Sequence, residues 1–220
     1  MIREPGRAEQ CLVYLVRHAE TNWNADGRFQ GQVDTELSPL GRRQAVALGA
    51  RVAALSPVSL CTSDLSRARE TADLAGSVAG LTAEPDRAFR EVHVGQWQGL
   101  TFDEVRTSMP DSFAEWLSGR PGFRFPRGET YEEAAARAME RLEALAAVHR
   151  GGRLVIVSHG GVLRAVISSI LGLDHSHRGR MTLTNAGVSA IAGEPGRWRL
   201  VLLNDTCHLA TLSPAAEDRE

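Results

Sequence analysis

Two histidines that follow short apolar segments are the residues of this chain best suited to chemistry. His18 lies in the segment Leu-Val-Arg-His-Ala-Glu-Thr at 15–21, and His159 lies in Val-Ser-His-Gly-Gly at 157–161. Each precedes a helix-like pattern, so each imidazole is predicted at the carboxyl edge of a sheet, where open α/β folds bind ligands. Two such rings side by side would be able to hold a phosphoryl group.

The elements that must position these histidines are short apolar strands. Segments rich in valine, leucine and isoleucine are typical of buried parallel strands, and they occur at 11–16, 58–62 and 154–158. Two later segments, 188–192 and 198–203, are joined by turn residues and predict a hairpin at a sheet edge.

Helical patterns follow the strands. Ser38 and Pro39 form an N-cap and first-turn pair ahead of an apolar stripe at helical spacing. Thr130 and Glu133 have the spacing of a capping box, and the helix that they begin is predicted to end near position 151, just before the strand that leads to His159.

Composition favours one compact domain that acts on a small molecule. The chain has 220 residues, 43% of them hydrophobic, and a formal net charge of −2, so residues 1–220 are predicted to form a single domain with its core at about 11–210. Charge of this size, spread over mixed-sign segments, indicates neither a nucleic-acid nor a membrane surface. The sequence contains no lysine, which excludes P-loop nucleotide hydrolysis and Schiff-base chemistry.

Cysteine usage and the chain ends favour a cytoplasmic location. The three cysteines show no metal-binding or redox spacing, as expected in a reducing compartment. Residues 1–10 lack the apolar stretch of a secretory signal, and Arg164 interrupts the most apolar region, 161–173, so no segment reaches transmembrane length. Residues 1–10 and 213–220 are predicted to be flexible ends.

Several motifs in order give the chain a family resemblance. The segment around Arg17 and His18 is similar to the Arg-His-Gly-x-Thr hallmark of the histidine phosphatase superfamily, in its phosphoglycerate mutase-like branch, with Ala19 where the family usually has glycine. Further matching segments lie at 30–37, 63–68, 91–99 and 158–161. The resemblance implies a three-layer α/β/α sandwich with a mostly parallel central sheet, and a phosphatase that needs neither cofactor nor metal.

The resemblance also implies roles for individual residues. His18 is the expected nucleophile that takes the phosphoryl group as a phosphohistidine, and a backbone carbonyl is expected to fix its tautomer. Donors to the phosphate oxygens are expected from charged and polar side chains and from a backbone position, namely Arg17, Asn24, Arg67, His159 and Gly160. Gln30 and Gly31 are expected to line the mouth of the site.

Glu91 is the expected proton donor to the leaving alcohol. Glu20 is the competing carboxylic acid, and it ranks second because the resemblance places the donor at Glu91. Arg69 is interpreted as a surface or supporting charge. Asp174, His175 and His177 could be imagined as metal ligands, but their spacing favours a solvated loop, so no metal is expected.

The segment 92–129 is a candidate cap over the site. It is rich in aromatic residues and also carries Arg120, Arg124 and Arg127, which would either select an apolar, sugar or carboxylate group or form a satellite hydrophobic cluster with solvated arginines. The sequence does not decide between these two interpretations.

The function predicted from the whole pattern is hydrolysis of a small phosphomonoester. A sugar phosphate or phosphoglycerate derivative is the expected substrate, and two stretches, 32–38 and 93–101, are similar to glucosyl-3-phosphoglycerate phosphatases. The alternatives are a phosphoglycerate mutase, for which the chain is short, and a non-catalytic phosphoryl-binding regulatory domain. The oligomeric state stays open, with a homodimer as one option.

Overall fold

A six-stranded mixed sheet forms the centre of the computed structural model, which describes residues 10–174 and 179–212. The strands are β1 (Cys11–Arg17), β2 (Ser59–Thr62), β3 (Ala83–Pro85), β4 (Arg153–Ser158), β5 (Val188–Glu194) and β6 (Arg197–Asp205). Their order is β3-β2-β4-β1-β5-β6. The first four strands in that order are parallel, and β5 and β6 form an antiparallel edge.

Seven α-helices accompany these strands in the described residues. They are α1 (Asn22–Ala25), α2 (Pro39–Leu55), α3 (Ser66–Ala79), α4 (Phe102–Ser108), α5 (Pro110–Ser118), α6 (Tyr131–Val148) and α7 (Gly160–Ile170). Helices α2 and α3 pack together on one face of the sheet, and α6 and α7 pack together on the other. The predicted α/β fold and the parallel strands at its centre are therefore confirmed.

The two long helices begin where their caps predict. The Ser38 hydroxyl accepts a hydrogen bond from the Gly41 N–H at 2.9 Å, and Pro39 occupies the first turn of α2. Thr130 and Glu133 form a reciprocal capping box at the start of α6. Both caps satisfy N–H groups that have no partner inside their own helix.

Each central strand alternates its side chains between two hydrophobic clusters. Val13 and Leu15 of β1 belong to the cluster under α6 and α7, whereas Tyr14 and Val16 belong to the cluster under α2 and α3. This alternation follows from the two-residue period of a strand. Burial on both faces explains why the central strands are continuously apolar in sequence.

The register between β1 and β4 decides where the two histidines meet. Arg17 pairs with Ser158 across the parallel ladder, and the His18 N–H donates to the Ser158 carbonyl at 2.8 Å. His18 and His159 are therefore the first residues past the same end of two neighbouring strands. This is the carboxyl edge where ligands bind in such folds.

Helix α7 is apolar but short, and in the described parts of the chain no helix has the length and hydropathy needed to cross a membrane. Of the predicted flexible ends, only Gln10 lies within the described residues.

Candidate active site

His18 and His159 lie against each other at the floor of a cleft. Their ring centroids are 5.1 Å apart and the ring planes are tilted by 57°. The exposed fraction is 3% for His18 and 0% for His159. The predicted meeting of the two imidazoles at the sheet edge is therefore what the structure shows.

The tautomer of His18 is fixed by its own backbone neighbour. Its Nδ1 lies 2.7 Å from the Ala19 carbonyl oxygen, and because a carbonyl can only accept, Nδ1 must carry the proton. Burial, together with the nearby Arg67 and Arg17 guanidinium groups, holds the pKa of His18 well below its usual value of 6.5. The ring is therefore neutral near pH 7, and Nε2 carries the lone pair that a nucleophile requires.

His159 is a buried polar side chain without partners. Neither of its ring nitrogens has a hydrogen-bond partner among the described residues. Its pKa is also held well below 6.5, first by burial and then by Arg67 and His18. An unsatisfied buried donor costs free energy unless a ligand pairs with it, so this ring is suited to bind an oxygen atom above it.

Arg17 and Arg67 place two more donors around the same point. Arg17 is anchored by an Nη1 hydrogen bond of 2.7 Å to the Leu183 carbonyl. Arg67, which has no exposed surface, donates to the Val33 carbonyl at 2.8 Å and to the Gly31 carbonyl at 2.7 Å.

Burial is the largest cause that lowers the pKa of each of these two arginines to about 10. Both side chains therefore stay charged at neutral pH. The Nε atoms of Arg17 and Arg67 have no hydrogen-bond partner in the described part of the chain. Together with the His159 nitrogens, they are buried nitrogens whose hydrogen-bonding capacity is unused, as expected of a site for a tetrahedral anion.

Glu91 is held by the start of α7. Its Oε1 accepts from the Val92 and Val162 N–H groups, each at 2.9 Å, and its Oε2 accepts from the Gly161 N–H at 3.0 Å. The N-terminus of a helix offers such free N–H groups and favours negative charge. A Cβ on Gly161 would lie 2.6 Å from Oε1, so only glycine leaves room for this carboxylate.

Asn24 belongs to the short capping turn that follows β1. Its Oδ1 accepts from the Thr21 N–H at 3.1 Å and from Asn185 Nδ2 at 3.2 Å. With Oδ1 occupied in this way, the amide orientation is fixed by hydrogen bonds, and Asn24 lines the cleft. It stays a predicted amide donor to the phosphate.

Gln30 and Gly31 line the cleft as expected. Their hydrogen bonds are made to other protein residues around the site. Gln30 Oε1 accepts from the Thr35 hydroxyl at 2.7 Å, and the Gly31 carbonyl anchors Arg67. Gly31 has a φ of +53°, and a Cβ there would lie 2.7 Å from Gln98 Oε1. Glycine is therefore needed for the backbone geometry that holds Arg67.

The cleft has a volume of about 190 Å³, and it opens beside a second chamber of about 400 Å³. Residues of the expected site that line the cleft are Arg17, His18, Asn24, Gln30, Gly31, Arg67 and Glu91. His159 lies beneath them, fully buried. The two spaces share lining residues, namely Phe102, Trp116, Tyr131, Gly161 and Arg164.

Comparison with known proteins decides the family. The profile of the histidine phosphatase superfamily (branch 1) matches residues 13–206. This chain belongs to that superfamily. A metal-independent phosphoserine phosphatase of Arabidopsis thaliana is 36% identical over 210 residues, which cover 93% of this chain and 86% of the relative.

Other relatives carry different names. The "Probable phosphoglycerate mutase GpmB" of Klebsiella pneumoniae is 34% identical over 186 residues, 84% of this chain and 86% of that protein. The solved structure of mycobacterial glucosyl-3-phosphoglycerate phosphatase with VO3 is 33% identical with a TM-score of 0.81, and the match covers 90% of this chain and 100% of that one. The chain is thus a histidine phosphatase, an enzyme family that includes metal-independent members.

The competing carboxylate Glu20 and the neighbouring arginine Arg69 lie outside the cleft. Glu20 accepts from the Ser38 hydroxyl at 2.7 Å at the start of α2, and it does not line the cleft. Arg69 is exposed, whereas Arg67 is buried in the site. Among the described residues no cluster of histidine, cysteine and carboxylate side chains is suited to a metal, and His175 and His177 lie outside them.

The aromatic segment divides between the core and the cleft. Trp97 and Phe113 are buried in the hydrophobic cluster under α6 and α7, whereas Phe102 and Trp116 line the cleft. One part of the segment therefore belongs to a hydrophobic cluster, and another part lines the cleft.

The arginines of the aromatic segment do not line the cleft or the second chamber. Arg120 pairs with Glu115 at 3.3 Å and Arg124 pairs with Glu133, in both cases on the surface, and Arg127 is absent from the lining of the cleft and the second chamber.

Three residues of the site were not predicted as part of it. Arg164 lines both spaces, Asn185 donates to the His18 carbonyl at 3.0 Å, and the Thr71 hydroxyl accepts from the Ala19 N–H at 3.0 Å. Arg164 had one signal, because it is a charge within an otherwise apolar helix segment. Asn185 and Thr71 act through contacts between distant parts of the chain, which local patterns do not report.

Proposed function

We propose that this histidine phosphatase hydrolyses a small phosphomonoester through a phosphohistidine on His18, with Glu91 as proton donor and without a cofactor. The observation that carries the proposal is the convergence of unused nitrogens on one point. The ring centroids of neutral His18 and His159 are 5.1 Å apart. The ring nitrogens of His159 and the Nε atoms of Arg17 and Arg67 are buried and have no hydrogen-bond partner among the described residues.

Binding of the phosphate dianion would satisfy the Nε–H groups of Arg17 and Arg67 and the one N–H group that neutral His159 carries. Guanidinium groups and phosphate oxygens form charge-assisted hydrogen bonds, which are roughly twice as strong as neutral ones. Because Arg17 and Arg67 are already anchored by backbone carbonyls, little reorganisation is needed when charge shifts on the phosphate during transfer. Asn24 adds an amide donor at the edge of the cleft.

In the first step, His18 Nε2 forms a bond to phosphorus while the bond from phosphorus to the substrate oxygen breaks. The departing alkoxide takes a proton from Glu91, for which Oε2 is the better placed oxygen, because it accepts one N–H group whereas Oε1 accepts two. The Nδ1 proton stays on the ring and its hydrogen bond to the Ala19 carbonyl stabilises the positive charge that forms.

In the second step, water attacks phosphorus and gives its proton to the Glu91 carboxylate. The bond between phosphorus and His18 Nε2 breaks, inorganic phosphate leaves, and neutral His18 is restored. Acid and base catalysis by one positioned carboxyl group is typically worth about 10²- to 10⁴-fold in rate.

The relatives indicate which substrates to test first. We propose a small phosphomonoester of the phosphoserine, phosphoglycerate or glucosyl-3-phosphoglycerate type, in line with the names of the relatives, and a cytoplasmic location in line with the free Cys11, Cys61 and Cys207. A phosphoglycerate mutase is the second candidate, because relatives at 34% identity carry that name. A mutase would yield an isomerised phosphoester instead of free phosphate.

The test is phosphate release by the purified protein from a panel of phosphomonoesters, with and without EDTA. Activity should survive the chelator, and His18→Ala should reduce turnover by at least about 10⁴-fold, since no nucleophile remains. Rapid quenching with a labelled substrate should trap label on wild-type protein and none on His18→Ala. Binding of phosphate without turnover of any substrate would instead favour a regulatory domain, and full activity of His18→Ala would refute the mechanism.

A further inference from the structure

Arg164 is a further cationic group of the cleft, beyond the two arginines that the phosphate accounts for. It lies on α7, one turn after His159, and it lines both the cleft and the second chamber. Its Nε donates to the Met181 carbonyl at 2.9 Å, which fixes the guanidinium plane. No ion pair to Arg164 is present among the described residues.

Arg28 provides a contrast in the same cleft. Its Nη1 donates to the Gly99 carbonyl at 2.7 Å and lies 3.3 Å from Glu104, and its Nε lies 3.9 Å from Asp26. The charge of Arg28 is therefore balanced by carboxylates of the protein. Within the described chain, Arg164 has no such balance.

Arg164 and Arg17 both lie close to Gly160 at the start of α7. A Cβ on Gly160 would lie 3.2 Å from Arg17 Nε and 3.4 Å from Arg164 Nη1. The two guanidinium groups therefore face one small region, and their repulsion contributes to the lowered pKa of Arg17, after burial. A ligand with two anionic groups a few bonds apart would relieve this repulsion.

Charge balance favours a second anion on the substrate. Glu91 is the single carboxylate among the residues that line the cleft in the described structure, and its two oxygens are already held by the Val92, Gly161 and Val162 N–H groups. The phosphate dianion then balances Arg17 and Arg67 and leaves Arg164 unbalanced. Charges in such a partly buried place are usually paired.

We propose that Arg164 binds a carboxylate on the alcohol part of the substrate, so that the enzyme prefers phosphomonoesters of hydroxy acids to those of uncharged alcohols. This inference rests on the proposed function, since it assigns a specificity residue to the same cleft. A planar guanidinium anchored at Nε still presents its terminal nitrogens to both oxygens of a carboxylate.

The experiment compares substrates that differ by the carboxylate. The pairs are 3-phosphoglycerate with glycerol 3-phosphate, and phosphoserine with phosphoethanolamine. In wild type, kcat/KM should be higher for the carboxylate member of each pair. Arg164→Gln should lower kcat/KM for that member by about 10- to 100-fold, the worth of a hydrogen bond to a charged group, and should change the other member much less. Arg164→Lys should retain part of the preference.

Arg28→Gln is the matched control, because it removes a guanidinium from the same cleft that is already paired. It should change the preference for the carboxylate member by less than about threefold. An equal effect of Arg164→Gln on both members of each pair would overturn the inference and leave the proposed hydrolysis intact. Thermal unfolding of each variant separates loss of folding from loss of preference.

A binding measurement decides the inference if no substrate is turned over. Calorimetry with wild type should show tighter binding of 3-phosphonopropionate than of propylphosphonate, and Arg164→Gln and Arg164→Lys should reduce that difference. Equal affinity of wild type for the two phosphonates would overturn the inference whatever the catalytic result. Absence of turnover with a clear difference in affinity would reject the proposed hydrolysis alone.

Discussion

The two buried histidines should make the stability of this phosphatase fall as the pH drops below the ordinary pKa of histidine. In the unfolded chain the pKa of a histidine is about 6.5, whereas burial and the nearby arginines hold the pKa values of His18 and His159 well below that in the folded protein. Well above pH 6.5 these histidines are neutral in both states, and stability does not change with pH on their account. As the pH falls below 6.5, the unfolded chain takes up protons that the folded protein does not, so stability falls.

The size of this effect follows from proton linkage. Between pH 7.5 and 5.5, each histidine that stays neutral in the folded state lowers the free energy of unfolding by about 1.4 kcal/mol, so the pair lowers it by about 2.7 kcal/mol. Urea unfolding at both pH values, in buffers free of phosphate, measures the loss.

His159→Gln isolates one of the two contributions. It should reduce the pH-dependent loss by about 1.4 kcal/mol, because His18 keeps the causes of its lowered pKa, namely burial first and then Arg67 and Arg17. If His159→Gln does not fold, His18→Gln should show the same reduction. An unchanged loss in the variant would mean that the buried ring is protonated in the folded protein, and the neutral-histidine argument would fail.

Two further predictions concern the proton donor. Glu91→Gln should slow hydrolysis of alkyl phosphates by about 10²-fold or more and affect p-nitrophenyl phosphate far less, because a good leaving group needs no proton; equal losses on both esters would contradict the assigned role. Gly161→Ala should push the Glu91 carboxylate aside, since the new Cβ would lie 2.6 Å from Oε1, and should cost about 10- to 100-fold in kcat on the alkyl esters. Wild-type kcat for Gly161→Ala, measured on the same two esters, would show that the carboxylate is not held where the structure places it.

The sequence predicts the central part of this fold well because burial leaves a local signature. Strands β1, β2 and β4 are short apolar runs, and α2 and α6 carry their caps in sequence. Strand β3 was not predicted, because it has three residues, mostly exposed, and ends in proline. The short helices α4 and α5 were likewise not predicted, because their role is to pack aromatic side chains into a cluster that forms only in three dimensions.

The candidate site also has some features that the sequence predicts and others that it does not. The meeting of His18 and His159 follows from strand ends, and the carbonyl partner of His18 was expected. The anchoring of Arg67 by the Gly31 carbonyl and the holding of Glu91 by α7 depend on distances between segments far apart in sequence. Such contacts require the tertiary structure. The resemblance alone supplied Glu91 as the acid, and it gave no role to Arg164.

The pairing of β1 with β4 also has a consequence for the newly made chain. His18, the proposed nucleophile, is synthesised early, but β4, which brings His159 alongside it, begins more than two thirds of the way along the polypeptide. A ribosome-bound fragment that ends before β4 therefore carries His18 without the pocket that makes it reactive. Under the proposed mechanism, release of phosphate therefore requires β4 to have been made and to have paired with β1.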